Sequence, residues 1–129
     1  MPPMQHVFSG SPYERRYGFS RAARIDDRVL VAGTAPIPEP GTPLGADAYA
    51  QMLRCGHIAL EAMDELGAAA GDVVRTRMYI TDAADADAVG RAHQELFAAA
   101  TPVATMVVVA GLLEPEWLVE IEVEAIVRS

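Results

Sequence analysis

Ala48, Met52, Cys55, Ala59, Ala62 and Leu66 recur at alternating steps of four and three, which draws one apolar stripe along a helix. Asp47 stands where a side-chain oxygen can accept from the first free backbone N–H groups, and Gly67 stands where the helix can end. A second helix is expected from about Asp85 to Ala99, with Val89, Ala92, Leu96 and Ala99 as its buried stripe. Thr81, Asp82 and Asp85 are its capping candidates. Gly90 weakens its middle by roughly 1 kcal/mol relative to alanine.

The rest of the chain reads as strands and loops. Leu118 to Val127 alternates with period two: Val119, Ile121, Val123, Ala125 and Val127 point one way, and Leu118, Glu120, Glu122, Glu124 and Ile126 the other. Val73 to Ile80 is a strand with Val74, Thr76, Met78 and Ile80 on one side and Val73, Arg75, Arg77 and Tyr79 on the other. Phe19 to Ile25 and Arg28 to Ala32 form a pair joined at Asp26-Asp27, and Val103 to Ala110 forms a further strand. The first twelve residues are expected to be loop, with a short strand around His6-Val7-Phe8. The prolines of Ala35 to Pro43 remove donors and restrict their predecessors, so that stretch is a surface loop.

The order strand-strand-helix-strand-helix-strand-strand predicts an α+β fold in which two helices cover one face of a mixed sheet. The opposite face carries the glutamate row. Ala104, Met106, Val108 and Ala110 are expected to add a small apolar stripe to that same face, which an assembly of copies would bury. Arg75 and Arg77 are placed to pair with the glutamates, each exposed pair contributing about 0.2 to 1 kcal/mol.

Composition narrows the class. A chain of 129 residues, 51% hydrophobic and 22% charged, is read as one globular domain over residues 1–129. The net charge of −8 opposes non-specific binding to phosphate backbones. Arg15, Arg16, Arg21, Arg24 and Arg28 form a modest basic concentration, read as a solvated, salt-bridged surface. One cysteine excludes an internal disulfide and fits a reducing, cytoplasmic setting. No signal peptide is expected from Met1 to Gln5, and no run of eighteen apolar residues proposes a membrane span.

Few motifs carry chemistry alone. His6, His57 and His93 are far apart, and Glu120, Glu122 and Glu124 are read as a charged sheet face in preference to a cation site, so no metal is expected. There is no phosphate loop and no dinucleotide fingerprint, hence no cofactor is expected. Cys55 lies in the helical stripe and reads as a buried small hydrophobe.

Three segments, Val31-Ala32-Gly33-Thr34, Gly71-Asp72-Val73-Val74 and Leu118-Val119-Glu120-Ile121-Glu122, occur in an order and spacing that resembles the YjgF/RidA family of reactive-intermediate deaminases. The resemblance runs from about Phe19 to Val127. It implies a chorismate-mutase-like fold, a homotrimer whose core is formed by the strands, and ligand clefts between subunits. It further implies hydrolysis of a 2-imino or 2-enamino acid to a 2-keto acid and ammonia, with an arginine on the substrate carboxylate and a glutamate positioning water.

Carried over residue by residue, Glu120 takes the glutamate position and Gly33 the pocket glycine, while backbone groups around Thr105 and Met106 remain available to a ligand. The arginine position is Ala104. Phe19 replaces an aromatic hydroxyl, Met106 a cysteine, Ala32 a serine, and Gly90 an asparagine. Arg21 or Arg24 is a candidate replacement cation. His93 falls at an aromatic position on the second helix and is a candidate acid–base group, and Trp117 is a candidate cleft wall.

The expected function is hydrolysis of an imine, enamine or related small metabolite in an altered intersubunit cleft, with Glu120 catalytic. One alternative is a non-catalytic trimer that binds a small molecule. Endoribonuclease activity is the other, disfavoured by the acidic balance and the missing arginine.

Overall fold

The computed structural model describes residues 4–128. Six strands form one sheet: β1 (Gln5–Val7), β2 (Ala22–Ile25), β3 (Arg28–Thr34), β4 (Val73–Ile80), β5 (Val103–Val108) and β6 (Val119–Ile126), in the order β1-β2-β3-β6-β4-β5. Every pairing is antiparallel except β4 with β5. The three helices are α1 (Pro12–Tyr17), α2 (Ala48–Glu65) and α3 (Ala86–Phe97). The architecture is α+β with a mixed sheet, as expected.

Helix α2 lies over β3 and β6, and α3 packs beside it. The core is built by the apolar side of β6 (Val119, Ile121, Val123, Ala125) against Met52, Cys55, Ala59 and Met63 of α2 and Val89, Ala92 and Phe97 of α3. The Asp47 carboxylate accepts from the backbone N–H of Ala50, which caps α2, and Gly67 follows its end at φ +82°. Asp82 caps a short turn before α3 by accepting from Ala84 N, while Asp85 makes no side-chain cap.

Several boundaries and facings correct the reading of the sequence. Helix α1 occupies residues for which no helix was expected: Ser11 caps it, Pro12 starts it, and Gly18 ends it in the left-handed region at φ +76°. Strand β2 begins at Ala22, not Phe19, and β3 continues past Gly33 to Thr34. Val73 faces the core opposite Ala125, because a bulge between Val73 and Arg75 breaks the strict alternation.

The largest correction concerns β5. In the parallel ladder Thr76 pairs with Ala104, Met78 with Met106 and Ile80 with Val108. Ala104, Met106 and Val108 therefore face the helix side. Val103, Thr105 and Val107 share the face of Arg75, Arg77 and Tyr79, and across β4 that of Glu120, Glu122 and Glu124. An apolar stripe does lie on the glutamate face, but it consists of Val103 and Val107.

Candidate functional site

Between Val31 and Thr34 the register of β3 against β6 slips: Val31 pairs with Val123, yet Thr34 pairs with Ile121. Three steps along β3 match two along β6, so Ala32 and Gly33 bulge. Bulges re-aim neighbouring side chains. Here the bulge brings Gly33 so close to Glu120 that a Cβ added at Gly33 would stand 3.1 Å from Glu120 Oε1.

Glu120 lines a cavity of about 530 Å3 together with Arg21, Gly33, Phe19, Tyr13 and Trp117, within the range typical of small-molecule pockets. Its carboxyl is partly buried and makes no side-chain hydrogen bond among the described residues. Desolvation raises its pKa above the ordinary carboxylate value; Glu122 adds to the rise and Arg21 opposes it. Its two neighbours on the strand are otherwise engaged. Glu122 accepts from the Tyr79 hydroxyl and lies 3.8 Å from Arg77, and Glu124 lies 3.6 Å from Arg28. Among the described residues, no group of three or more histidine, cysteine, aspartate or glutamate side chains could hold a metal ion.

Arg21 is the buried cation of this cavity, not part of a solvated basic surface. Its Nε donates to Glu14 Oε2 at 3.1 Å, and its Nη1 donates to the Gly33 carbonyl at 2.6 Å and to Thr34 Oγ1 at 3.1 Å. Nη2 has no hydrogen-bond partner among the described residues. The Phe19 ring lies 5.5 Å from the guanidinium carbon. Glu14 is fixed in turn by the Ser9 backbone N–H at 2.9 Å and by the Ser9 hydroxyl.

The apolar wall comes from α1 and the turn before β6. Tyr13 and Trp117 meet edge to face with centroids 6.0 Å apart, and the Tyr13 hydroxyl donates to Glu114 Oε1 at 2.7 Å. Gln51 holds that turn in place. Its Nε2 donates to the carbonyls of Gly45 and Glu116, and its Oε1 accepts from Leu118 N at 2.8 Å. Arg54 reaches the rim, where Nε donates to the Ile37 carbonyl and Nη1 lies 3.5 Å from Glu39.

Five of the residues singled out in the sequence thus converge: Glu120, Gly33, Phe19, Arg21 and Trp117. Four do not. Ala104, Thr105 and Met106 lie on β5, separated from β6 by β4, and His93 lies on α3. His93 Nε2 is 2.7 Å from Thr76 Oγ1, its ring is 5.1 Å from that of Phe97, and burial lowers its pKa. Arg24 also lies apart from this cavity. It donates to the carbonyls of Asp26 and Leu66 at 2.8 and 2.7 Å, at the C-terminal end of α2. Tyr13 and Arg54 also line the cavity, Glu14 holds Arg21 and Gln51 holds the turn before β6; none of these four was foreseen. The nearest signal in the sequence was a polar Gln51 adjoining an apolar helical stripe.

The family model for endoribonuclease L-PSP matches residues 12–127. The chain is 43% identical over 122 residues to an uncharacterized protein of Streptomyces coelicolor, covering 95% of this chain and 91% of that one. It is 31% identical over 105 residues to a RutC family protein of Pyrococcus abyssi, covering 81% and 82%. Among solved structures, a Mycobacterium tuberculosis member of the YjgF/YER057c/UK114 family superposes with a TM-score of 0.89 at 40% identity, covering 97% of this chain and 100% of that one. The YjgF gene product of E. coli superposes with a TM-score of 0.77 at 21% identity, covering 95% and 94%, a likeness that concerns the fold.

Proposed function

Because the chain belongs to the endoribonuclease L-PSP (YjgF) family, we propose that its cavity hydrolyses the C=N bond of a small imine or enamine, with Glu120 as the acid–base residue. The observation that carries this reading is the state of Glu120: a partly buried carboxyl with no hydrogen-bond partner of its own, held above its ordinary pKa by desolvation and set against Gly33 and Arg21.

In the first step Glu120 accepts a proton from water as the water oxygen bonds to the imine carbon and the C=N π pair moves to nitrogen. A proton on nitrogen then makes ammonia the leaving group, and the carbinolamine O–H is lost as the C=O bond forms. A carboxyl whose proton affinity is raised takes that proton more readily than an ordinary carboxylate does and can return it in the later step. The free Nη2–H of Arg21 is a donor for the oxygen that becomes the carbonyl.

Assembly belongs to the same proposal. A homotrimer would bring the edge strand of a neighbour, with its Ala104-Thr105-Met106 segment, towards the cavity mouth. The protein is read as one domain over residues 1–129, and its single buried thiol, Cys55, fits the cytoplasm. No helix among the described residues is long and apolar enough to cross a membrane.

The test is hydrolysis of imines generated in situ, followed by trapping of the unreacted imine. Glu120→Gln is expected to lower the rate by about a hundredfold or more. An unchanged rate would refute the catalytic role. Saturable ligand binding with no turnover in any imine series would instead favour the non-catalytic binding trimer. The charge of −8 and the internal pairing of Arg21 weigh against endoribonuclease activity; RNA cleavage that vanishes in Glu120→Gln would reverse that judgement.

A further inference from the structure

The cavity's charge balance and its walls narrow the substrate class. Two guanidinium groups line it, and each already has a carboxylate: Arg21 has Glu14 at 3.1 Å and Arg54 has Glu39 at 3.5 Å. Glu120, Glu61 and Glu65 also line it, and none of these three makes an ion pair among the described residues. The uncompensated charge facing a ligand is therefore negative: Glu120 is partly buried, and Glu61 and Glu65 stand exposed to solvent. Arg21 offers the two N–H groups of Nη2, but its charge is already paired with Glu14.

The walls are aromatic. Tyr13, Phe19 and Trp117 surround the interior, and Leu113, 63% exposed, lies at the rim with its apolar surface free. A cavity of about 530 Å3 exceeds what a two- or three-carbon ligand fills. Aromatic faces beside unpaired carboxylates attract cations and stack on rings.

We infer that the cavity takes an imine that lacks a carboxylate and carries a ring-sized apolar substituent, bound neutral or as its iminium cation, with Tyr13, Phe19 and Trp117 as the specificity-determining wall. The inference rests on the hydrolytic reading above and deepens it. The balanced reaction is an aryl-alkyl imine plus water giving an aryl-alkyl aldehyde and ammonia. The class of reaction that supplies such an imine is the two-electron oxidation of a primary amine at its carbon–nitrogen bond.

Trp117 is the single tryptophan of the chain, so intrinsic fluorescence reads the cavity directly. Three probes separate the terms: 2-phenylethylamine carries ring and cation, phenylacetate ring and anion, propylamine cation without ring. 2-Phenylethylamine is expected to change the Trp117 emission saturably, with phenylacetate and propylamine each at least tenfold weaker. Tyr13→Ala should weaken 2-phenylethylamine severalfold, and Tyr13→Phe should restore it.

Phenylacetate binding as tightly as 2-phenylethylamine would overturn the inference, as would no response to 2-phenylethylamine. Amine-selective binding without hydrolysis of any imine would sink the hydrolytic reading and leave the ligand class standing. Hydrolysis confined to imines bearing a carboxylate would sink the ligand class and leave hydrolysis standing.

Discussion

Glu14 Oε2 accepts from Arg21 Nε at 3.1 Å, and both side chains are almost wholly buried, so the guanidinium beside Glu120 is already neutralised within the fold. Such a pair is costly to break from one side, because the remaining charge has no water to turn to. Glu14→Ala is expected to cost about 3–5 kcal/mol of stability. The double variant Glu14→Leu/Arg21→Met should lose less than Glu14→Ala, since it leaves no buried charge unpaired. Urea unfolding of the three proteins checks this; a double variant less stable than Glu14→Ala would show that the pair's other hydrogen bonds dominate.

Glu120 gives stability a pH dependence whose sign is fixed. Burial raises its pKa in the folded state above the unfolded value of about 4.3. Between the two values the folded protein binds more protons than the unfolded chain, so this group's contribution falls as pH rises through that interval. Glu120→Gln should therefore be more stable than the native protein at pH 7, and the difference should fade below about pH 4. Melting temperatures of both proteins at the two pH values decide the matter; a constant difference would mean that desolvation of Glu120 is not the cause.

How much of this was legible depended on whether one face of an element was buried alone. The alternation of β6 and the stripe of α2 each set core residues against solvent or cavity, and both were readable without a structure. Strand β5 runs into Met106-Val107-Val108-Val109-Ala110, a stretch with no alternation, so only its parallel pairing with β4 fixes its phase. Helix α1 is six residues long, too short to show a period, although Ser11-Pro12 and Gly18 mark its ends. Glu120, Gly33, Phe19, Arg21 and Trp117 were identified through family resemblance and placement along the chain. Arg21's role depended on Glu14, which lies on that unrecognised helix, and Arg24's on a carbonyl 42 residues away.

The close approach of Gly33 to Glu120 should matter for rate more than for folding. Gly33 does not need a positive φ, so Gly33→Ala is tolerated by the backbone, but the new Cβ would press on Glu120 Oε1 at 3.1 Å. The carboxylate must yield by a few tenths of an ångström. A rate loss of about tenfold is expected from such a displacement, with a melting temperature close to native. Full activity in Gly33→Ala would mean that the position of the Glu120 carboxylate is not critical.

Arg24 makes the opposite prediction. Its Nη1 bond to the Leu66 carbonyl satisfies a group left open at the end of α2. Arg24→Ala should cost about 1–2 kcal/mol in urea unfolding and leave hydrolysis at the native rate. A specific loss of turnover with unchanged stability would return Arg24 to the list of candidate cleft cations.

Strand β5 ends the sheet with an open hydrogen-bonding edge, and its apolar side chains stand in solvent in the single chain: Val103 is 61% exposed, Val107 40% and Val108 57%. A six-residue edge without lysine, proline or an inward charge invites pairing with another chain. In the proposed trimer this edge is covered by a neighbour, so a charge placed there should be repelled from the interface. Val107→Glu is expected to shift the protein from trimer to monomer in sedimentation equilibrium while circular dichroism retains the native helix and strand signal. A native chain that sediments as a monomer would remove the basis for a shared cleft, and Val107→Glu sedimenting as a trimer would place the interface elsewhere.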